Sequence, residues 1–168
     1  MLPGLHPSPR HRRPVFTKLD HSNCDVLASV VIQAEWRRVL HALTIPEYME
    51  TWFQMPDAER VECRPELKSL DQFRIDTFTG GVRRRSIYGS CIQSRPDEIT
   101  YLWDRTQAGS IGRSIVKLRL KAGPRRCSLH LIHRGLWDSG ERLWYSAMWR
   151  RSLNRLCRLM EGMSDLTN

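Results

Sequence analysis

Long hydrophobic runs are missing from this 168-residue chain. No run approaches the roughly 18 apolar residues that cross a bilayer, so we predict no membrane span. The basic residues among 1–13 are followed by no apolar segment, so we predict no secretory signal. The five cysteines have irregular spacings and form no Cys-x-x-Cys pair, which favours reduced thiols and a cytoplasmic location over a disulfide framework.

Recognisable catalytic and metal-binding motifs are missing as well. The chain has no Gly-x-Ser-x-Gly elbow, phosphate-binding loop or dinucleotide fingerprint. Its carboxylates form no identifiable acid–base pair, and no metal-ligand spacing surrounds His41. We therefore predict no catalytic residue, no metal site and no cofactor.

Acidic residues are in the minority, since 27 Lys and Arg face 18 Asp and Glu for a net charge of +9. The basic residues form a cluster at residues 83–85 and decorate the C-terminal segment at Arg142, Arg150, Arg151, Arg155 and Arg158. A nucleic-acid module usually adds exposed stacking aromatics, a helix-turn-helix or a zinc motif, and none occurs here. We therefore predict no specific nucleic-acid binding. The charge indicates a solvated basic surface or, alternatively, an acidic protein partner.

The end of the chain carries the strongest structural pattern. Apolar residues and one histidine alternate with polar ones at Cys127, Leu129, Leu131 and His133, which is typical of a half-buried strand that Gly135 ends. In the segment that follows, large apolar residues recur at helical spacing: Trp149, Leu153, Leu156 and Met160. This spacing places them on one face of a long helix over about residues 140–162, and such a face has to lie against a sheet.

Two regions precede this pattern. Residues 1–23 hold four of the nine prolines and several basic residues, and predict a flexible basic tail. Residues 26–33 predict a first strand, and residues 35–43 and 46–53 predict two short helices, the second with Pro46 in its first turn. An alternative begins the first helix near Ile32 and places the first strand at residues 15–19.

Between these helices and the C-terminal pattern the chain has strand character and no helical period. The predicted strands are residues 60–67, 72–78, 84–93, 99–104, 113–121 and 127–133, separated by turn-like segments such as Gly80-Gly81. Short turns predict an antiparallel meander whose dry face needs a cover. The expected fold is α+β, with a curved antiparallel sheet of six or seven strands wrapped around a long C-terminal helix.

Four blocks, in order, resemble a known family. They are Ala42-Leu43-Thr44-Ile45-Pro46-Glu47-Tyr48 with Trp52, the pair Gly80-Gly81, Leu129-x-Leu131-x-His133-x-Gly135, and Trp149 with Leu153 and Leu156. Together they resemble proteins similar to the activator of the heat-shock protein 90 ATPase, although Met148 replaces the glycine expected before Trp149. The resemblance implies a single START-like (SRPBCC), helix-grip domain over residues 24–163, with a C-terminal tail at 164–168. Birch-pollen allergen and polyketide cyclases share this fold.

A curled sheet that grips a helix leaves room for a ligand. We predict that Trp52, Leu131, His133, Trp149 and Leu153 line such a site. Trp52 and Trp149 are chosen because they match family positions, and His133 because it continues the inward face of its strand. A histidine with a purely structural role is the alternative for His133.

The family is functionally mixed, so the fold does not decide the function. The expected function is a non-enzymatic binding module for an apolar or amphipathic small molecule. The first alternative is a co-chaperone-like protein-interaction module that uses the basic surface. The second alternative is a cyclase- or hydrolase-type enzyme that uses the same cavity.

Overall fold

The computed structural model describes residues 16–20, 25–65, 72–107, 110–123 and 125–164. These ranges contain eight strands and three helices, in the order β1 (Phe16–Asp20), β2 (Asp25–Ile32), α1 (Trp36–Thr44), α2 (Pro46–Trp52), β3 (Arg60–Pro65), β4 (Gln72–Thr79), β5 (Val82–Arg95), β6 (Glu98–Gln107), β7 (Ser110–Ala122), β8 (Cys127–Arg134) and α3 (Ser139–Ser164). The predicted α+β class, the two short helices and the long C-terminal helix are confirmed.

The strands form one antiparallel sheet in the order β1-β2-β8-β7-β6-β5-β4-β3. Strand β2 pairs with β8 from Val26 opposite His133 to Ile32 opposite Cys127, which joins the beginning of the domain to its end. At the β4–β5 turn, Gly80 and Gly81 have φ values of 59° and 75°. Two successive positive φ angles suit a tight hairpin and favour glycine at both positions.

The sheet has eight strands, whereas six or seven were predicted. Strand β1 lies inside the segment predicted as a flexible tail, and it pairs with β2 from Phe16 opposite Ser29 to Asp20 opposite Asp25. The tail prediction is therefore wrong for β1, because backbone pairing with an adjacent strand supplies stability that composition does not reveal. Residues 1–15 and 21–23, the rest of that predicted tail, lie outside the described residues. The alternative was right about a strand here but wrong about the helix, since Ile32 belongs to β2 and α1 begins at Trp36.

Helix α3 lies along the concave face of the sheet, mainly against β2 and α2. Its predicted inward stripe is buried, with Trp149, Leu153, Leu156 and Met160 each at most 2% exposed. Opposite this stripe, alternate residues of β6, β7 and β8 are buried as well. The core is therefore the space between sheet and helix, and within the described ranges no helix is both long enough and apolar enough to cross a membrane.

Helix α2 closes one side of this space through hydrogen bonds to its neighbours. The Trp52 indole N–H donates to the Ala42 carbonyl at 2.7 Å. From α3, Arg151 donates to the Pro56 carbonyl at 3.1 Å and Arg155 to the Thr51 carbonyl at 3.0 Å. Arg155 thus binds the C-terminal end of α2, where carbonyls lack helical partners of their own, and Arg151 binds the loop that follows.

Candidate functional site

The five residues predicted to line a site come from three elements and are all buried. Trp52 ends α2, Leu131 and His133 lie on β8, and Trp149 and Leu153 lie on α3. A direct hydrogen bond joins His133 to Trp149. The ring of Phe53 links Trp52 to Trp149, with centroid distances of 5.7 Å to each. Leu131 and Leu153 belong to the same core, without a polar group of their own.

His133 is fully buried and is held at both ring nitrogens. The indole N–H of Trp149 donates to its Nδ1 at 3.1 Å, so Nδ1 has to be unprotonated. The neutral imidazole then carries its proton on Nε2, which lies 2.8 Å from Ser114 Oγ and donates to it. The Ser114 hydroxyl is in turn oriented toward the carbonyl of Trp103, at 3.5 Å. A buried polar chain thus runs from α3 through β8 and β7 to β6.

Ser114 was not among the residues predicted from the sequence, although a signal for it exists. Val116, Leu118 and Leu120 are the other buried residues on the same face of β7, and Ser114 is the polar member of that row. A hydroxyl in an otherwise apolar inward row needs a hydrogen-bond partner. Which partner it has depends on the register of β7 against β8, which places Val116 opposite His133 and which composition does not specify.

Aromatic rings surround this polar chain. We call them the aromatic cluster: Trp52, Phe53, Phe73, Tyr101, Trp103, Tyr145 and Trp149. Tyr145 packs edge-on against His133 at a centroid distance of 4.4 Å, and Trp103 lies 5.9 Å from Trp149. The interior is therefore rich in large apolar surfaces with few polar groups, which is the usual lining of a small-molecule site.

Three buried polar atoms have no hydrogen-bond partner in the described part of the chain. They are Trp103 Nε1, Thr100 Oγ1 and Arg142 Nε. Trp103 faces the aromatic cluster from β6, whereas Thr100, three residues earlier on the same strand, lies on the other face of the sheet. Arg142 lies on α3 seven residues before Trp149, on the same inward stripe. Two of the three orphaned atoms thus belong to side chains on the facing surfaces of sheet and helix.

Buried thiols do not add a nucleophile to this interior. Burial raises the pKa of Cys63 and of Cys157 to about 12, and that of Cys127 to about 11. Thiolate, the reactive form, is therefore scarce at neutral pH. In the described ranges no group of three or more His, Cys, Asp and Glu side chains is arranged to hold a metal ion.

These raised pKa values predict slow thiol chemistry in the native state. In a Cys24→Ser/Cys91→Ser variant, the three remaining thiols should react with Ellman's reagent at pH 8 at least about a hundredfold more slowly than free cysteine. The same variant in denaturant, where burial no longer raises the pKa, serves as the control and should react fully within minutes. Rapid reaction of the native variant would contradict the burial of these thiols.

Basic residues on the outer face of the sheet are in part paired. Glu98 lies 3.1 Å from Lys117 Nζ and also binds Arg119. The hydrogen bond from Arg119, and to a lesser extent that from Lys117, lowers the pKa of the Glu98 carboxyl. Between the neighbouring strands β8 and β2, Arg134 lies 3.1 Å from Asp25. Part of the net positive charge is therefore compensated locally.

Comparison with known proteins gives a likeness in structure. No protein-family model matches the chain, and no curated protein matches it either. A solved protein from Arthrobacter aurescens has a TM-score of 0.71 at 12% identity, over 88% of this chain and 91% of that one. Protein CV1439 from Chromobacterium violaceum has a TM-score of 0.67 at 21% identity, over 82% and 96%.

CalU16 from Micromonospora echinospora is also similar, with a TM-score of 0.60 at 19% identity over 83% of this chain and 79% of its own. All these identities lie below 25%, a range in which a likeness concerns the fold alone. In this chain that fold is one antiparallel sheet with a long C-terminal helix packed on it. The chain has a helix-grip fold.

Proposed function

We propose that this protein is a non-enzymatic, cytoplasmic binding module that holds an apolar or amphipathic small molecule between the sheet and α3. The proposed lining keeps Trp52, Leu131, His133, Trp149 and Leu153 and adds Trp103. The observation that carries the proposal is the indole N–H of Trp103, which is buried among aromatic rings and has no acceptor in the described part of the chain.

A buried donor without an acceptor is costly, by about 1–3 kcal/mol. The cost disappears when an oxygen atom of a bound molecule accepts the hydrogen bond. Around Trp103 lie the rings of Phe53, Phe73 and Trp149, with centroids 5.9 Å away in each case. Such a position favours a molecule with a flat or aliphatic body and one acceptor atom, such as a carbonyl or hydroxyl oxygen.

In this proposal His133 positions other groups rather than shuttling a proton. Both of its ring nitrogens are engaged with protein atoms, Nδ1 by Trp149 and Nε2 by Ser114. A second proton on Nδ1 would place two donors against each other and break the bond to Trp149. His133 therefore fixes the orientation of the Trp149 ring. The narrower relationship to the activator of the heat-shock protein 90 ATPase belongs to this proposal only as a hypothesis of ancestry.

A neutral dye, N-phenyl-1-naphthylamine, tests the proposal. We expect saturable binding of one dye per chain, with enhanced dye emission and quenching of tryptophan fluorescence. The same protein in denaturant, where the interior no longer exists, is the control. Absence of saturable binding would overturn the binding module and favour the interaction module with its basic surface.

The role of Trp103 is tested by competition with two ligands of similar shape. 2-Acetylnaphthalene carries an acceptor oxygen, and 2-ethylnaphthalene does not. The wild type should prefer the acetyl compound by about 5- to 10-fold, the equivalent of one net hydrogen bond. A Trp103→Phe variant keeps a large ring but lacks the donor, so it should bind both compounds equally. An unchanged preference in this variant would place the acceptor elsewhere.

A further inference from the structure

Arg142 is a buried arginine on the sheet-facing side of α3. It is 9% exposed and lies in the first turns of the helix, three residues before Tyr145 and seven before Trp149. Both spacings place the three side chains on one helical stripe. Tyr145 packs against His133, so the stripe that begins at Arg142 continues directly into the aromatic cluster.

The Nε atom of Arg142 is buried and has no hydrogen-bond partner among the described residues. Other arginines of the same helix differ, because Arg151 and Arg155 donate to backbone carbonyls. An arginine side chain stays charged in proteins, so burial cannot be relieved by loss of the proton. A largely buried guanidinium with an unsatisfied N–H is costly, and the oxygen of an anion would satisfy that N–H.

Nearby acidic residues do not supply this anion. Asp138 uses its Oδ1 to accept the backbone N–H of Glu141 at 2.8 Å. Glu141 uses its Oε2 to accept the backbone N–H of Trp137 at 2.6 Å. Both carboxylates adjoining Arg142 in sequence are therefore turned toward the beginning of the helix, where free backbone N–H groups attract them.

A second cation lies beside the same turns of α3. The guanidinium of Arg85, an exposed residue on β5, stacks over the ring of Trp144 at 4.9 Å. Trp144 contacts Tyr145 edge-on at 5.0 Å. The first turns of α3 thus combine one buried and one exposed positive charge, an arrangement that attracts anions toward the interior.

We propose that Arg142 binds the anionic head group of an amphipathic ligand, an oxyanion such as a carboxylate or a phosphate, while the apolar body of that ligand lies against the aromatic cluster. This inference rests on the proposed function and narrows it from apolar molecules in general to anionic amphiphiles. The planar guanidinium suits an oxyanion because two parallel N–H groups reach two oxygens at once.

Two dyes with the same aromatic body separate this inference from the proposed function. 8-Anilinonaphthalene-1-sulfonate carries an oxyanion, and N-phenyl-1-naphthylamine is its neutral counterpart. An Arg142→Met variant, which keeps an apolar stem of similar length, should bind the sulfonate dye about 10- to 100-fold more weakly than the wild type. Its affinity for the neutral dye should change by less than about threefold. Arg150→Met removes an exposed charge from the same helix and should alter neither affinity.

The possible outcomes are distinct. Equal affinity of the wild type and Arg142→Met for the sulfonate dye overturns the anion site and leaves the binding module standing. If the wild type binds neither dye, the proposed binding module itself is overturned. Competition by octanoate and by octyl phosphate, with octanol as the neutral control, then shows which oxyanion the site prefers.

Thermal stability gives a readout independent of dyes. Without ligand, Arg142→Met removes a largely buried charged group with an unsatisfied Nε and should raise the Tm by about 2–4 °C, whereas Arg150→Met should leave it unchanged. Octanoate should raise the Tm of the wild type but not that of Arg142→Met. A fall in Tm on Arg142→Met would mean that the protein itself satisfies this guanidinium, and would overturn the inference.

Discussion

Replacing Trp149 by alanine should lower the free energy of unfolding by about 3–5 kcal/mol, the usual cost of removing a large aromatic side chain from a core. Trp149 is 2% exposed and packs against Phe53, Trp103 and His133. Its indole N–H also donates to His133 Nδ1. The substitution therefore leaves a cavity and a buried acceptor without its donor, and the two costs act together.

Trp149→Phe separates these two costs. Phenylalanine keeps most of the apolar contact but lacks the N–H, so the loss should be about 1–3 kcal/mol and include the unpaired His133 nitrogen. Urea unfolding followed by circular dichroism measures both variants. Trp137→Ala is the matched control, because Trp137 is 45% exposed and its removal should cost less than that of the buried Trp149. A loss below about 1 kcal/mol for Trp149→Ala would show that α3 does not rely on this residue.

The sequence was sufficient to predict most of the fold because its signals were local and repeated. Alternation at Leu129, Leu131 and His133 and the helical stripe at Trp149, Leu153 and Leu156 are patterns that a single element displays by itself. Strand β1 has no such pattern. Its order comes from pairing with β2, a property of two segments together that is missed when composition is averaged over a proline-rich tail.

The candidate site was predictable only in part, for the same reason. Alternation alone placed His133 inward, but its partners Trp149 and Ser114 come from α3 and β7. Buried atoms without a hydrogen-bond partner are harder still to predict from the sequence. Whether Trp103 Nε1 or Arg142 Nε has a partner depends on the positions of all neighbouring elements. Arg142 was predicted to be one of the solvated basic residues of the last helix. Its position seven residues before Trp149 was the available signal that it faces inward.

Gly89 is a position where a missing side chain makes room for the aromatic cluster. It pairs with Phe73 on β4 and with Trp103 on β6, and the ring of Phe73 lies across it. A Cβ atom at Gly89 would lie 2.2 Å from Cζ of that ring. Phe73 cannot easily move aside, because its ring packs edge-on against Tyr101 at 5.4 Å and Trp103 at 5.9 Å.

Gly89→Ala should therefore lower the free energy of unfolding by about 1–3 kcal/mol, the cost of overpacking a core. Gly112→Ala is the control, since its Cβ would also lie 2.2 Å from an aromatic ring, that of Trp137. Trp137 is 45% exposed, so its ring has more room to shift than that of Phe73, and the loss at Gly112 should be smaller. Urea unfolding of both variants measures the difference, and Gly89→Ala/Phe73→Leu should recover part of the loss because the smaller side chain clears the new methyl group. Equal losses of unfolding free energy at the two glycines would contradict this prediction. They would show that the ring of Phe73 can move aside for a methyl group as easily as the more exposed ring of Trp137.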